Sequence, residues 1–179
     1  DISALLQSLP GVTGYGELST AYAVRGGNYD ENLIYVNDMP VYRPFIIRAG
    51  EQEGLSFVNP DLTDNVVFSS GGWQPRYGDR LSSNLSVRYK TPVRTGSSAN
   101  ISLLGGGAHI EGLSKNEEFT YLAGIRHKAS RYLLGTLEVE GQYFPNFTDF
   151  QSYFEYTPGK NSRKNPATIG LLLAHSNNR

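Results

Sequence analysis

The chain has 179 residues, a formal charge of −1 from 16 basic and 17 acidic side chains, and no cysteine. That balance is not the footprint of a nucleic-acid binder, and the missing thiols exclude disulfide scaffolds, thiol catalysis and cysteine-ligated zinc. No run approaches the ~18 apolar residues a membrane helix needs, but a membrane β-strand needs only about 9–11 residues of alternating character, so a barrel stays open.

Residues 1–12 predict a short amphipathic helix. Asp1 serves as N-cap or first-turn anion, Ile2, Leu5, Leu6 and Leu9 recur at helical spacing, and Pro10-Gly11 stops it. Residues 12–20, VTGYGELST, read as a flexible connection. Residues 21–42 hold two strand-like runs, AYAVR and NLIYV, on either side of the polar segment GGNYDE, and read as a hairpin-like unit. The second run ends in Asn37-Asp38-Met39-Pro40, which joins turn-forming side chains to a residue without an amide hydrogen. Arg25 closes the first run, and Gly26 and Gly27 after it can take positive φ or admit another backbone.

Residues 43–54 read as a loop with an apolar tip, Phe45 included, flanked by Arg43 and Arg48. Residues 55–64 predict a helical turn with Asn59 as N-cap and Pro60 at the first helical position. A strand over 65–70, a break at Gly71-Gly72, a turn-rich link over 74–80 with Arg76, Gly78 and Arg80, and a half-buried strand over 84–89 follow. Residues 1–91 thus predict an α+β unit, a small mixed sheet with short helices, whose core is thin for independent stability.

Residues 92–98 form a Ser/Gly/Thr linker, and longer alternating strands begin at 99. Residues 99–111 read as the first. Residues 117–128 place Phe119, Tyr121, Ala123, Ile125 and His127 on one face and Thr120, Leu122, Gly124, Arg126 and Lys128 on the other, with a tight turn at 113–116 between them. Residues 151–156 and 167–175 form a second pair, giving about four antiparallel strands. One face is mostly apolar and aromatic and the other mostly small or polar, which fits a transmembrane β-barrel and fits a soluble sandwich as well. Between the pairs lie a short strand at 136–143 and an aromatic cluster at 144–147, suited to a membrane interface or to a packed loop.

No catalytic, metal or cofactor site is expected. His109, His127 and His175 lie far apart without ligand spacing, and Asp38 fits turn chemistry with no second carboxylate in a motif-like relation to it. Gly105-Gly106-Gly107 lacks the GK[ST] ending of a phosphate loop and a following helix, so it marks a bend or a close backbone approach.

Four ordered motifs, LLQSLPGV (5–12), VRGGNYDENLIYVNDMPVY (24–42), GLSFVNPDLTDNVVFSSGG (54–72) and PRYGDRLSSNLSVRYK (75–90), resemble the plug domain of TonB-dependent outer-membrane receptors. The YRPF and FPNFTDFQSYFEY segments are most similar to receptors of Bacteroidetes-type bacteria. Residues 99–179 then look like the first strands of the barrel.

This resemblance implies energised import through a plugged barrel in the bacterial outer membrane, with TonB, the remainder of its own barrel, outer-membrane lipid and an outer-membrane lipoprotein as partners. It implies that plug arginines latch onto barrel acids, at the matching positions Arg25 and Arg76 with Arg80 as a further candidate, beside the motif glycines Gly26, Gly27, Gly72 and Gly78. The acids are expected in later strands and the TonB box upstream of Asp1. A ligand- or partner-facing apex is expected at Arg43, Phe45 and Arg48, with Tyr29 and Asp30 as further candidates. VRGGN…YVNDMPVY departs from the YVIDGVP pattern of the family's glycan importers, so a glycan substrate does not carry over. A non-transporting plugged-barrel subunit of an envelope complex and a soluble β-rich binding module are the alternative readings.

Overall fold

The structure is a computed structural model that describes residues 2–14, 21–42, 45–47, 54–78, 80–129, 146–160 and 166–178. The chain divides into two compact units, Asp1–Tyr89 and Lys90–Arg179.

The first unit opens with helix α1, Ile2–Gln7. Of its apolar stripe only Leu6 is fully buried, while Leu5 and Leu9 are exposed, so one side chain anchors the helix. Strand β1 (Val12–Gly14) pairs antiparallel with β2 (Tyr22–Val24), so the expected flexible connection begins as strand; residues 15–20 lie outside the described residues.

The hairpin-like reading of 21–42 is corrected, because β2 does not pair with β3 (Asn32–Val36). A turn with Arg25 and Gly26 at φ 51° and 79°, then a 3-10 turn at Tyr29–Glu31, carries the chain away from β2. β3 instead pairs antiparallel with β4 (Met39–Pro40) and parallel with β8 (Ser83–Tyr89), and β7 (Thr63–Ser69) completes a four-stranded sheet of order β4-β3-β8-β7. The β3–β4 turn has Asn37 and Asp38 both at positive φ, the type I′ geometry that matches strand twist. Asn37 ties this turn to β8, donating its amide to the Val87 carbonyl (2.9 Å) and accepting the Tyr89 amide on Oδ1 (2.8 Å).

Between these elements, β5 (Phe45–Ile47) and β6 (Gly54–Ser56) pair antiparallel, so the expected loop is flanked by a short ladder; residues 48–53 lie outside the described residues. The expected cap is present. Asn59 Oδ1 accepts the Asp61 amide at 3.0 Å and Pro60 starts a 3-10 turn ending at Leu62. β8 alternates as expected over 85–89, with Leu85, Val87 and Tyr89 buried, Ser86 half-buried and Arg88 exposed, while Ser83 and Asn84 at its start are buried as well.

Tyr22, Val24, Ile34, Val36, Val58, Leu62, Leu85 and Val87 make the core, each contributing on the order of 1.5–3 kcal/mol if fully buried. A polar network crosses it. Asn32 Nδ2 donates to the Tyr22 carbonyl (2.7 Å) and Ser83 Oγ donates to Asn32 Oδ1 (2.7 Å). One residue earlier on both strands, Ser82 Oγ donates to Glu31 Oε2 at 2.5 Å.

The second unit is a five-stranded antiparallel meander of order β13-β12-β11-β10-β9. Its strands are β9 (Gly96–Ser102), β10 (Gly105–Leu113), β11 (Phe119–Ala129), β12 (Asn146–Tyr156) and β13 (Ile169–Asn178). The expected single strand over 99–111 is therefore two, folded at Leu103-Leu104, which makes five strands rather than about four. β9 begins at Gly96, inside the stretch read as linker. The glycine run is the bend and close approach its composition suggested: Gly105 has φ 138°, and a Cβ there would lie 1.9 Å from the His127 carbonyl oxygen. The aromatic cluster is partly strand, because β12 starts at Asn146 and Phe147 is buried. The strand expected at 136–143 lies outside the described residues.

Two tests of the first unit follow from its packing. A Cβ at Gly27 would sit 1.8 Å from Ser82 Oγ, so Gly27→Ala is expected to cost about 1–3 kcal/mol in denaturant unfolding, and less in a Ser82→Ala background. Burial raises the Tyr22 phenol well above its ordinary pKa, with the Ser83 hydroxyl opposing in part. The folded state then resists deprotonation, so this stabilisation is full below the unfolded pKa near ~10 and is lost as pH rises above it. Tyr22→Phe is expected to remove that part of the alkaline loss in unfolding curves measured against pH.

Candidate functional site

Each expected arginine has a distinct environment. Arg25 occupies a left-handed backbone position, φ 51°, that side-chain-bearing residues take at a cost of about 1–3 kcal/mol. Its amide is held by the Gly11 carbonyl at 2.8 Å. Its side chain lies along two glycines, with Cγ 3.7 Å from where a Cβ of Gly11 would be and Nη1 3.2 Å from that of Gly71. Both glycines have positive φ. Arg25 is exposed, and among the described residues no carboxylate pairs with it. A strained cation laid over glycine and left unneutralised is an outlier from which function is inferred, since its charge has no counter-ion among the described residues.

Arg76 differs. Its Nη1 lies 3.4 Å from Asp38 Oδ1, its guanidinium sits 4.5 Å over the Tyr77 ring, and its Nη2 donates to the Tyr77 hydroxyl. Both charged side chains are more than half exposed, so the pair is worth about 0–1 kcal/mol. Asp38 is therefore both a turn residue and the counter-ion of Arg76. Arg80 is half-buried with no ion-pair partner among the described residues.

Among the motif glycines, Gly26 and Gly72 take positive φ, Gly27 makes the close approach to Ser82, and Gly78 has open space where a Cβ would point. Asp30 is exposed in the 3-10 turn that also contains Tyr29. Phe45 opens β5, while Arg43 and Arg48 lie outside the described residues.

Beside Arg76, the segment 72–77 covers one face of β7 and β8 and encloses a cleft of about 510 Å³. Trp73 donates from Nε1 to the Tyr77 carbonyl at 2.8 Å, and Tyr35 and Tyr77 pack with ring centroids 4.9 Å apart. Neither the seating of Arg25 on Gly11 and Gly71 nor this cleft is among the sequence expectations. The paired glycines at 71–72 were the available signal for the first.

In the second unit the faces separate by polarity. Ile101, Ile110, Phe119, Ile125, Phe150, Tyr156, Ile169, Leu171 and Leu173 share one face by register and all are exposed. The opposite face carries buried polar groups. Arg126 donates from Nη2 (2.5 Å) and Nε (3.1 Å) to Asp149 Oδ2, and Gln151 Nε2 donates to the same oxygen at 3.1 Å. On that face too, His109 Nδ1 lies 2.6 Å from Ser98 Oγ and its Nε2 3.8 Å from Glu111 Oε2. His127 pairs with Thr148 on the apolar face (2.9 Å). Among the described residues no group of three or more His, Asp or Glu could hold a metal ion.

Residues 1–83 match the family model for the TonB-dependent receptor plug domain. Across 99% of its length the chain is similar in structure to the siderophore receptor PirA from Acinetobacter baumannii, with a TM-score of 0.66 and 16% identity. It is likewise similar over 99% of its length to a mutant of PfeA, the ferric enterobactin receptor from Pseudomonas aeruginosa, solved with enterobactin, with a TM-score of 0.57 and 15% identity. The chain spans 29% and 30% of those two chains. No curated protein matches it in sequence. The fold is thus a plug domain followed by antiparallel strands of a partial barrel.

The two ion pairs separate exposed from buried charge. Arg76→Gln is expected to change unfolding stability by under about 1 kcal/mol. Asp149→Ala, which strands a mostly buried Arg126, is expected to cost about 3–5 kcal/mol in the same assay.

Proposed function

We propose that this chain, with its TonB-dependent receptor plug domain over residues 1–83, is the plug and first barrel segment of an energised outer-membrane transporter. One observation carries the reading: strands of 9–11 residues follow directly on a plug domain, with one face of exposed large apolar side chains and an opposite face whose buried groups include Thr120, Asp149 and Gln151 beside Leu122 and Phe147. A soluble sandwich buries its apolar face, whereas a membrane barrel turns it to lipid and keeps polar groups on the lumen side. Strands of 9–11 residues, tilted, also match the hydrocarbon thickness.

In this reading the barrel encloses the plug, TonB pulls on a box preceding it, and Arg25, with Arg76 and Arg80, answers acids on the barrel wall. Arg25 is the strongest of the three because it is strained and unneutralised, while Arg76 already shares its charge with Asp38. We place the protein among receptors of the Bacteroidetes type on its YRPF and FPNFTDFQSYFEY segments. Ferric siderophores are the first substrate class to test, since both structural relatives are receptors for them. An outer-membrane lipoprotein remains a proposed partner.

The test is uptake of radiolabelled ferric siderophore by cells producing the intact receptor. Uptake is expected to vanish with TonB deleted or a protonophore added, and to fall in Arg25→Ala. TonB-independent uptake sinks the energised reading, and no uptake alongside stably co-purifying envelope partners sinks the transporter reading in favour of a fixed stopper. Leu173→Arg, on the apolar face in mid-strand, is expected to cost about 2–4 kcal/mol at the bilayer midplane and to reduce the heat-modifiable folded form in outer-membrane fractions.

A further inference from the structure

The cleft over β7 and β8 holds polar groups of which Ser86 accepts from the Tyr77 hydroxyl at 3.4 Å, while Asn84 Oδ1 and the Arg88 charge find no partner among the described residues. Asn84, Ser86 and Arg88 alternate along β8 and line one side of it, at intervals of roughly 6.6 Å. Asn84 is 2% exposed, yet among the described residues its Oδ1 finds no hydrogen-bond donor. A buried acceptor in that state carries a desolvation cost that a ligand donor would recover. At the other end of the row Arg88 is exposed, and Asp64 stands at the same mouth. Among the described residues neither has an ion-pair partner. Trp73, fixed by its bond to the Tyr77 carbonyl, supplies an aromatic wall, and Arg76 a second guanidinium whose charge is only weakly screened by exposed Asp38.

We propose that this cleft binds a polyhydroxylated carboxylate of about disaccharide length. The chemistry selects each part. The buried Asn84 acceptor requires a donor that reaches the floor, which a hydroxyl supplies. The Arg88 guanidinium, without an ion-pair partner among the described residues, calls for an anion, and a carboxylate meets its fork of donors. Two residues of alternation separate Asn84 from Ser86 and two more separate Ser86 from Arg88, so one small acid cannot span the row and a two-ring ligand can. The volume of about 510 Å³ accommodates that size, and the predominantly polar lining favours hydroxyls over an apolar body. Asp64 accepts from a hydroxyl at the mouth. The occupancy of the site is read by binding, so it stands whether or not the protein transports.

Trp73 is the chain's one tryptophan, which makes its emission a local reporter. Digalacturonate is titrated into the folded protein, with lactose as the neutral two-ring control and Trp73→Phe as the blank. A saturable change in Trp73 emission with digalacturonate, much weaker with lactose and reduced about tenfold in affinity by Arg88→Gln, is the expected result. Asn84→Leu is expected to weaken binding while leaving the unfolding midpoint unchanged or higher, because it removes a buried acceptor that has no partner. The proposal is overturned by any of four results: no saturable response to digalacturonate, equal binding of lactose, undiminished affinity in Arg88→Gln, or a lowered midpoint with unchanged affinity in Asn84→Leu.

Discussion

The parallel pairing of β3 with β8, clasped by Asn32 and Ser83 across 51 residues, is the constraint on which the first unit depends. Parallel strands cannot be joined by a tight turn, so the intervening chain must travel out and back, and loop closure is unfavourable until the pair forms. The clasp acts where that cost is met. Asn32 donates to β2 through the Tyr22 carbonyl and accepts from β8 through Ser83, so one buried amide joins three strands. The Arg25-Gly26-Gly27 turn is packed against the neighbouring Glu31–Ser82 pair, because Gly27 leaves no room for a Cβ. The position of the unpaired arginine is thus set by the same contact that closes the sheet.

The second unit obeys the opposite rule of burial. In the first unit apolar side chains fill the interior, whereas in β9–β13 one face exposes isoleucine, leucine and phenylalanine and the buried groups include Asp149, Gln151 and Thr120 beside Leu122 and Phe147. Water as the only solvent makes such a sheet costly, because exposed apolar area is destabilising at about 25 cal/mol per Å². Lipid reverses the sign. The Arg126–Asp149–Gln151 cluster shows how the polar face remains tolerable: each buried charge has a counter-charge and further hydrogen bonds.

Arginine has three uses in the chain, and environment decides among them. Arg126 is mostly buried and paired, so it is structural. Arg76 is exposed, stacked on an aromatic ring and weakly paired. Arg25 is exposed and unpaired among the described residues, on a backbone position that would be easier for glycine. Residue type alone ranks the three alike, and only the last invites a partner.

Much was legible in the sequence for a definite reason. Asn59-Pro60 specifies its turn because a cap and a preset φ act within a few residues. Asn37-Asp38 specifies a type I′ turn because both tolerate positive φ. The alternation over 117–128 named both faces of β11, because side-chain period in a strand is a local property. The glycine run announced a close approach. Locality also explains the errors. AYAVR and NLIYV are adjacent strands in sequence, but only long-range pairing reveals that each has another partner, and the glycine run marked a bend without showing that β9 and β10 fold back on each other at Leu103-Leu104.

By itself, then, the sequence determined turns, caps, strand faces and the plug-like motifs, all of which depend on near neighbours. Only the tertiary structure decided which strands pair, which face is exposed, that Asp38 answers Arg76, and that Asn84 faces a cleft without a donor. Those outcomes depend on residues dozens of positions apart meeting in space, and no local pattern encodes the meeting.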